Sequence, residues 1–292
     1  KMQQEKLKAY AKINLGLDVI GRLPDGYHQV KMVMQTVGIY DELTFERAEQ
    51  GIQITTDSGI LPTDENNLIY KAARLMMEKY RIEEGIRVHL QKNIPIAAGM
   101  AGGSTDAAAA MQGMNRLFRL GVPKEELMRE AVSIGADVPY CLLGGTALAE
   151  GIGEELTVLP PVPDMVLLVA KPEISVSTKY VYEHLDSAEK IEHPDIDGMV
   201  SAIREQSMDG ILERMENVLE TVTIPAHPVI AGLKERMLEL GAKRSLMSGS
   251  GPTVFGVFES EEKAQYAYER MQQEKKAEQL FVTHPVPGGF AE

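Results

Sequence analysis

The sequence predicts an α+β protein of two domains. Apolar residues occupy every second position over 7–19, a period typical of a β-strand with one buried face. The segment 65–80 instead repeats its apolar residues at helical spacing. A stiff proline-rich stretch, LPPVPD at 159–164, lies near the middle of the 292-residue chain and suits a domain crossover. We therefore predict one domain at 1–160 and a second at 161–292.

The other elements follow from the same two periods and from turn residues. In the first half we predict further strands at 30–37, 42–46, 51–55 and 86–91, a helix after the glycine-rich segment near residue 104, and a helix at 123–134. In the second half we predict strands at 165–170, 253–258 and 280–283, and helices at 177–185, 197–205, 211–219, 227–240 and 261–273. Strands and helices alternate in this half of the chain.

Composition excludes several classes of protein. The chain has 43 acidic and 30 basic residues, a net charge of −13, and no lysine- or arginine-rich run, so we expect no nucleic-acid partner. No apolar run approaches the roughly 18 residues of a membrane span, and the polar start KMQQEKLK lacks the apolar region of a signal peptide. The single cysteine, Cys141, permits no internal disulfide and fits a reducing cytoplasm. We interpret Cys141 as a core residue, with a catalytic thiol as the alternative.

The segment 93–111, NIPIAAGMAGGSTDAAAAM, is the strongest local signal in the chain. Small residues fill most of 97–105 and let the backbone approach a ligand, while the alanines at 107–110 favour a helix with Ser104 or Thr105 as its N-cap. Free backbone N–H groups at the positive end of a helix dipole form an anion site suited to a phosphate. The segment matches neither the Walker A nor the Rossmann pattern. The alternative is a tight strand-to-helix turn before a closely packed helix.

Five polar side chains elsewhere are candidates for the same site. Lys12 and Asn14 project from one face of the first strand, although Lys12 alone would be interpreted as a solvated strand lysine. Tyr27 and His28 directly follow the turn LPDG. A lone histidine is more often structural than functional, and for His28 both interpretations stay open. Asp137 lies between a helix end and an apolar run, where it would either need a charged partner or cap the next turn.

Five blocks of sequence carry a resemblance to a known family, in order and over nearly the whole chain. They are AYAKINLGLDV at 9–19, PDGYH at 24–28, PIAAGMAGGSTDAAAA at 95–110, GADVPYCLLGGTALAEG at 135–151 and LMSGSGPTVFG at 246–256. Together they resemble the GHMP kinases, the small-molecule kinase family named for galactokinase, homoserine kinase, mevalonate kinase and phosphomevalonate kinase. The first two blocks resemble the branch of this family that phosphorylates the 2-hydroxyl of a diphosphocytidyl-methylerythritol in the non-mevalonate isoprenoid pathway.

The resemblance implies both a fold and a reaction. It implies an N-terminal domain like domain 2 of ribosomal protein S5 and a ferredoxin-like C-terminal domain, with ATP and a small-molecule substrate in the cleft between them. The reaction would be ATP- and Mg²⁺-dependent phosphoryl transfer to an alcohol. The ligands of the metal and the oligomeric state stay open.

The resemblance also implies roles for individual residues. Asp137 would take the proton from the attacking hydroxyl, and Lys12 would keep Asp137 ionised and offset developing charge. The residues that would contact the diphosphocytidyl group are Asn14, Tyr27, His28 and Tyr182. The residues that would bind or lie near ATP are Pro95, Ile96, Ala97, Ala98, Gly99, Met100, Ala101, Gly102, Gly103, Ser104, Thr105, Asn67 and Lys92.

The phosphate loop departs from the commonest family pattern at three places. Ala98 and Ala101 stand where glycines are frequent, and Thr105-Asp106 stands where Ser-Ser-Asn or Ser-Ser-Asp is usual. Alanine is still small, but it resists a positive φ, so these positions put the geometry of the loop in question.

Two alternative functions are consistent with the fold that the resemblance implies. One is another kinase of the family, acting on mevalonate or homoserine, and the Tyr27–His28 pair argues against it because such a kinase reads no cytosine. The other is a catalytically silent ligand-binding module on the same fold, and the presence of both Lys12 and Asp137 argues against it.

Overall fold

The computed structural model describes residues 3–290 and contains a six-stranded and a four-stranded sheet. The strands of the larger sheet are β1 (Gln4–Arg22), β2 (His28–Ala48), β3 (Ile52–Thr56), β4 (Gly85–Gln91), β5 (Thr146–Glu150) and β6 (Glu155–Val158). Their order is β3-β4-β2-β5-β6, with β1 paired to β2. Only β3 and β4 pair in parallel, so this sheet is largely antiparallel.

Four helices of the first half pack with this sheet or with one another. They are α1 (Leu68–Lys79), α2 (Gly102–Leu117), α3 (Lys124–Ala131) and α4 (Val138–Leu143). Helix α2 is central, because it contacts β1 and β2 and also the other three helices. The alanines at 107–110 are fully buried, and a Cβ on Gly113 would lie 2.5 Å from the Phe45 ring. Small residues are therefore what allows α2 to approach the sheet so closely.

Strand β1 is buried on both faces in its middle, which corrects the prediction of one buried face. Its pairing with β2 shifts register between Tyr10 and Lys12 and again between Asn14 and Gly16. Such bulges re-aim the side chains of a strand. The polar pair Lys12 and Asn14 lies between these two shifts and is buried together with its apolar neighbours.

The second half is built on the four-stranded antiparallel sheet. Its strands are β7 (Val166–Lys171), β8 (Arg244–Met247), β9 (Val254–Phe258) and β10 (Gln279–Thr283), in the order β10-β7-β9-β8. Its helices are α5 (Thr178–Asp186), α6 (Ile196–Arg204), α7 (Met208–Glu213), α8 (Glu220–Ala226), α9 (Val229–Glu239) and α10 (Glu261–Gln273). Helices α9 and α10 pack on this sheet, whereas α6 contacts β1 and β2 of the larger one.

The two halves share a hydrophobic core. Ile13 and Leu15 of β1 belong to the same buried cluster as Val169 of β7 and Phe255 of β9. The two sheets are separated in the sequence by residues 159–165, which include the proline-rich stretch. The exact domain bounds at 160 and 161 stay a prediction.

Several predicted elements differ in the structure. The strands predicted at 30–37 and 42–46 are one strand, β2, because Tyr40 and Asp41 continue the pairing with β1. The helix predicted at 211–219 ends at Glu213, because the backbone at 216–218 instead hydrogen-bonds to Leu17 of β1. The elements β5, β6, β8, α4 and α8 were not predicted from the sequence. Over residues 3–290, no helix is both long and apolar enough to cross a membrane.

Candidate active site

The N-terminus of helix α2 forms one wall of the site. The helix begins at Gly102 and its N-cap is Ala101, so the prediction of Ser104 or Thr105 as N-cap is wrong. Ala101 has a left-handed backbone (φ 56°), and the N–H of Thr105 donates to its carbonyl oxygen at 2.9 Å, which closes the first turn early. No side chain caps the helix, so the first N–H groups of α2 stay available to a ligand.

Two of the alanines in the phosphate loop have the positive φ that alanine resists. Ala97 and Ala101 both have positive φ, at 52° and 56°, whereas Ala98 does not. Gly99 also has a positive φ, of 80°. A left-handed alanine costs about 1–2 kcal/mol, so the surrounding contacts must hold this loop in shape.

A second small-residue loop, residues 247–252, packs against the phosphate loop. The N–H of Thr253 donates to the carbonyl oxygen of Ala98 at 3.4 Å, and the N–H of Gly249 donates to Asn14 Oδ1 at 3.1 Å. The sequence marks 247–252 as a loop of small residues but gives no reason to place it here. The structure brings it into the site from the other half of the chain.

Both predicted catalytic residues line one cavity of about 280 Å³ between these loops. The predicted site residues that line it are Lys12, Asn14, Gly99, Ala101, Ser104, Asp137 and Tyr182. Polar residues that the sequence did not assign to a site also line it, namely Thr178 and Ser250. The carboxylate, the lysine and the phosphate loop are therefore within reach of a single bound molecule.

Lys12 is a buried cation that contacts the phosphate loop. Its Nζ donates to Asn14 Oδ1 at 2.7 Å and to the carbonyl oxygen of Gly99 at 3.1 Å, and the residue is only 5% exposed. The interpretation as a solvated strand lysine is therefore wrong. Burial lowers the pKa of Lys12, and the negative charge of Asp137 acts in the opposite direction. Among residues 3–290, no carboxylate lies within 4.0 Å of Lys12 Nζ, so Lys12 and Asp137 interact across the cavity.

Asp137 directly precedes helix α4, but its side chain does not cap that helix. The alternative interpretation of Asp137 as a capping residue is therefore wrong. No described residue donates a hydrogen bond to its carboxylate, which leaves both oxygens for a ligand in the cavity. Cys141 lies one turn further on and is buried, and burial raises the pKa of its thiol. A neutral, buried thiol is a poor nucleophile, so Cys141 is a core residue.

A second cavity, of about 200 Å³, lies along the same loop. The predicted ATP-binding residues that line it are Asn67, Lys92, Pro95, Ile96, Ala97, Gly102 and Gly103. Ala98, Met100 and Thr105 are buried and line neither cavity. The other predicted ATP-binding residues line one or the other of these two cavities on the loop that leads into α2.

Lys92 is held by two buried carboxylates. Its Nζ lies 2.6 Å from Asp41 Oδ2 and 3.0 Å from Asp106 Oδ2. These charges raise the pKa of Lys92 even though burial opposes them, and burial raises the pKa of Asp106 well above its usual value. Asn67 is occupied as well, because its side chain caps α1 through the N–H of Ile69 at 2.8 Å. That Asn67 and Lys92 contact ATP stays a prediction.

Of the residues predicted to contact the diphosphocytidyl group, Tyr27 and His28 lie at or directly before the start of β2, Tyr182 lies in α5, and Asn14 lies in β1. The His28 and Tyr182 rings lie 4.8 Å apart, centre to centre, at 49°. Tyr27 is 59% exposed and makes no ring contact with Tyr182. His28 Nε2 lies 2.9 Å from both carboxylate oxygens of Asp186, a residue that the sequence reading did not single out. No local pattern identifies Asp186, because its partner is 158 residues away.

Comparison with known proteins identifies the class. The family model "GHMP kinases N terminal domain" matches residues 67–145, and "GHMP kinases C terminal" matches residues 199–277. The chain belongs to the GHMP kinase family, a family of ATP-dependent phosphotransferases. The two-domain α+β fold expected from the sequence is thereby confirmed.

Individual relatives of this chain carry a more specific name than that of the family. The chain is 56% identical to 4-diphosphocytidyl-2-C-methyl-D-erythritol kinase of Lachnospira eligens, over 97% of this chain and 98% of that one. It is 51% identical to the enzyme of the same name from Lachnoclostridium phytofermentans, over 95% and 96%.

Solved structures support the same fold. A crystal structure of 4-(cytidine 5'-diphospho)-2C-methyl-D-erythritol kinase matches with a TM-score of 0.82 at 31% identity, covering 97% of this chain and all of that one. A homoserine kinase from Cytophaga hutchinsonii matches with a TM-score of 0.81 at 23% identity, over 100% and 98%. At that identity the second match supports the fold alone.

Proposed function

We propose that this protein transfers the γ-phosphoryl group of ATP to the 2-hydroxyl of 4-diphosphocytidyl-2-C-methyl-D-erythritol. The observation that carries the proposal is the single cavity shared by Asp137, Lys12, the phosphate loop and Tyr182. The names of the relatives at 51–56% identity supply the substrate. Phosphoryl transfer depends on positioning and electrostatics more than on covalent chemistry, and this set of groups provides both.

In the proposed complex, the phosphates of ATP lie against the loop at 95–105. The uncapped N–H groups of α2 donate to phosphate oxygens, and the helix dipole favours negative charge there. The cavity beside Asn67 and Lys92 takes the rest of the nucleotide. Lys92 is already neutralised by Asp41 and Asp106, so it supports the loop rather than serving as a free cation for phosphate.

The proton of the attacking hydroxyl passes to Asp137. The hydroxyl oxygen forms a bond to the γ-phosphorus, and the bond from phosphorus to the bridging oxygen breaks to release ADP. Asp137 is suited to this role because no protein donor occupies its carboxylate. Lys12 supplies a positive charge where negative charge develops, and its contact with the Gly99 carbonyl fixes it to the phosphate loop.

We include Mg²⁺ as the metal of the reaction. Over residues 3–290, no three or more histidine, cysteine or acidic side chains gather as a metal-binding cluster. Mg²⁺ is usually held by one or two carboxylates together with substrate phosphates, so a large cluster is not required. The Ser104 hydroxyl lines the reaction cavity and would hold the ion together with phosphate oxygens and water, which leaves the carboxylate of Asp137 to take the proton. When bound, the ion would neutralise charge on the phosphates.

The cytosine of the acceptor lies among Tyr27, His28 and Tyr182 in this proposal. The exposed Tyr27 ring is free to stack on a base, and the Tyr182 ring borders the reaction cavity. Asn14 holds Lys12 and the loop at Gly249 in place, because its Oδ1 already accepts hydrogen bonds from Lys12 Nζ and the N–H of Gly249.

A coupled assay of ADP release tests the proposal. Purified protein is given ATP and Mg²⁺ with the cytidylated methylerythritol, mevalonate, homoserine or no acceptor. We expect ADP release with the cytidylated substrate alone. Release only with mevalonate or homoserine would overturn the substrate assignment, and no acceptor-dependent release with any of them would favour a silent binding module.

A further inference from the structure

Asp186, the last residue of helix α5, holds the ring of His28. Both of its carboxylate oxygens lie 2.9 Å from His28 Nε2. Arg22 Nη1 lies 3.4 Å from Asp186 Oδ2, so the carboxylate also faces a cation. The His28 side chain is only 13% exposed. The pair is therefore a defined contact between the start of β2 and the end of α5.

This contact decides which nitrogen of His28 carries the proton. An ionised carboxylate only accepts hydrogen bonds, so Nε2 must be the protonated nitrogen that donates to Asp186. In the neutral form of this imidazole, which has one donor and one acceptor nitrogen, Nδ1 then keeps a lone pair. Among the described residues, nothing hydrogen-bonds to His28 Nδ1. The Nδ1 atom is an acceptor that a ligand can use.

The same helix also supplies the ring beside His28. Tyr182 lies one turn before Asp186, and residues four apart share one face of a helix. Tyr182 contacts the His28 ring and also borders the cavity that holds Lys12 and Asp137. One face of α5 thus carries both Asp186, which contacts His28, and Tyr182, which borders the cavity where the acceptor reacts.

We propose that Asp186 is the positioning residue for base discrimination, because it fixes His28 in the Nε2–H tautomer and so makes Nδ1 the acceptor for the exocyclic amino group of cytosine. This inference rests on the proposed function, which provides a cytidylated substrate. Uracil presents a carbonyl oxygen at the same position of the ring, and two acceptors facing each other cannot form a hydrogen bond. Asp186 need not touch the substrate to act in this way.

A purely structural role for Asp186 makes a different prediction. Arg22 also ties the turn to α5, because its Nε donates to the carbonyl oxygen of Gly26 at 3.3 Å while Nη1 faces Asp186. If Asp186 only anchors this turn, then Arg22→Met should lower the discrimination between the cytidylated and uridylated substrates as much as Asp186→Leu does. If Asp186 sets the tautomer, then Arg22→Met leaves the His28–Asp186 contact in place and has little effect on base choice.

The kinetic test compares specificity constants for the cytidylated substrate and a uridylated analogue. In Asp186→Leu we expect the ratio of the two constants to fall about tenfold, the equivalent of one lost hydrogen bond, while the KM for ATP is unchanged. In the control Arg22→Met the ratio should stay within about twofold of wild type. An unchanged ratio in Asp186→Leu, or an equal fall in Arg22→Met, would overturn the proposal.

A spectroscopic test needs no substrate. ¹⁵N NMR of the histidine rings, with His28 assigned by comparison with His28→Ala, distinguishes a protonated from an unprotonated ring nitrogen. We expect Nε2 protonated and Nδ1 unprotonated in the wild type at neutral pH, with this preference lost in Asp186→Leu. A protonated Nδ1 in the wild type would overturn the proposal. If the wild type phosphorylates no cytidylated alcohol, the proposed function fails, while the NMR result still reports the tautomer.

Discussion

The hydroxyl of Ser248 donates a hydrogen bond of 3.0 Å to the carbonyl oxygen of Gly99, although the two residues are 149 positions apart. Their backbones approach so closely that a Cβ on Gly99 would lie 2.3 Å from the Ser248 carbonyl oxygen. Gly99 also has a φ of +80°. The phosphate loop of the first half is therefore shaped by direct contact with a loop of the second half.

This contact predicts that Gly99→Ala destabilises the protein. The new methyl group would meet the Ser248 backbone, and the positive φ adds strain, so we expect the free energy of unfolding to fall by about 1–3 kcal/mol. Denaturant unfolding measures this change. Gly232→Ala in helix α9 is the control, because a Cβ there meets no atom within 4 Å. Equal stability of the two variants would contradict the close approach.

Gly103→Val tests the phosphate site without breaking the fold. A Cβ at Gly103 would meet only Leu68 Cδ1, at an ordinary 3.6 Å, and the glycine has no positive φ. The valine side chain would instead stand at the N-terminus of α2, where the phosphates are proposed to bind. We expect the KM for ATP to rise far more than the KM for the alcohol, with Tm nearly unchanged. Unaltered ATP kinetics would contradict the assignment.

Asp137→Asn should lower the rate of phosphoryl transfer without weakening the binding of ATP. The amide keeps the shape of the carboxylate but cannot take a proton, so we expect kcat to fall by roughly two to four orders of magnitude with ATP affinity nearly intact. Steady-state kinetics and ATP titration measure the two quantities. Asp209→Asn, on the exposed surface of α7, removes the same charge and should have no such effect. Turnover of Asp137→Asn within a few-fold of wild type would remove Asp137 from the mechanism.

Lys12→Met should abolish most turnover while preserving the fold. Methionine fills much of the same space, and removing a buried cation also removes its desolvation cost. We therefore expect a strong fall in kcat together with a Tm equal to or above that of the wild type. Thermal unfolding and turnover are measured on one preparation. A lysine that served only to support the structure would instead show lost stability with turnover retained.

His28→Ala should weaken the acceptor site alone. Loss of a buried polar partner costs about 1–3 kcal/mol, so the cytidylated substrate should bind more weakly while ATP binding is unchanged. Discrimination against a uridylated analogue should fall with it. Specificity constants and Tm are measured on the same variant. Preserved base discrimination with a lowered Tm would show that His28 is only a structural residue of the turn.

The sequence alone predicted most of the residues that we propose for the site. The small residues of 93–111 predicted a phosphate loop leading into a helix, and the resemblance paired Lys12 with Asp137, which the structure places around one cavity. The strand at 7–19 and the helix at 65–80 were recognised because periodicity is a local property of the chain. The family and its two-domain fold followed from the order of the five blocks.

Only the tertiary structure decided how these parts are held together. The register shifts of β1 on either side of the buried Lys12 and Asn14 depend on pairing with β2, and the early start of α2 at Gly102 depends on the left-handed Ala101. The contacts of Ser248 with Gly99 and of Asp186 with His28 join residues more than 140 positions apart. A local pattern carries no information about such pairs, because the energy that fixes them arises only when the two halves pack against each other.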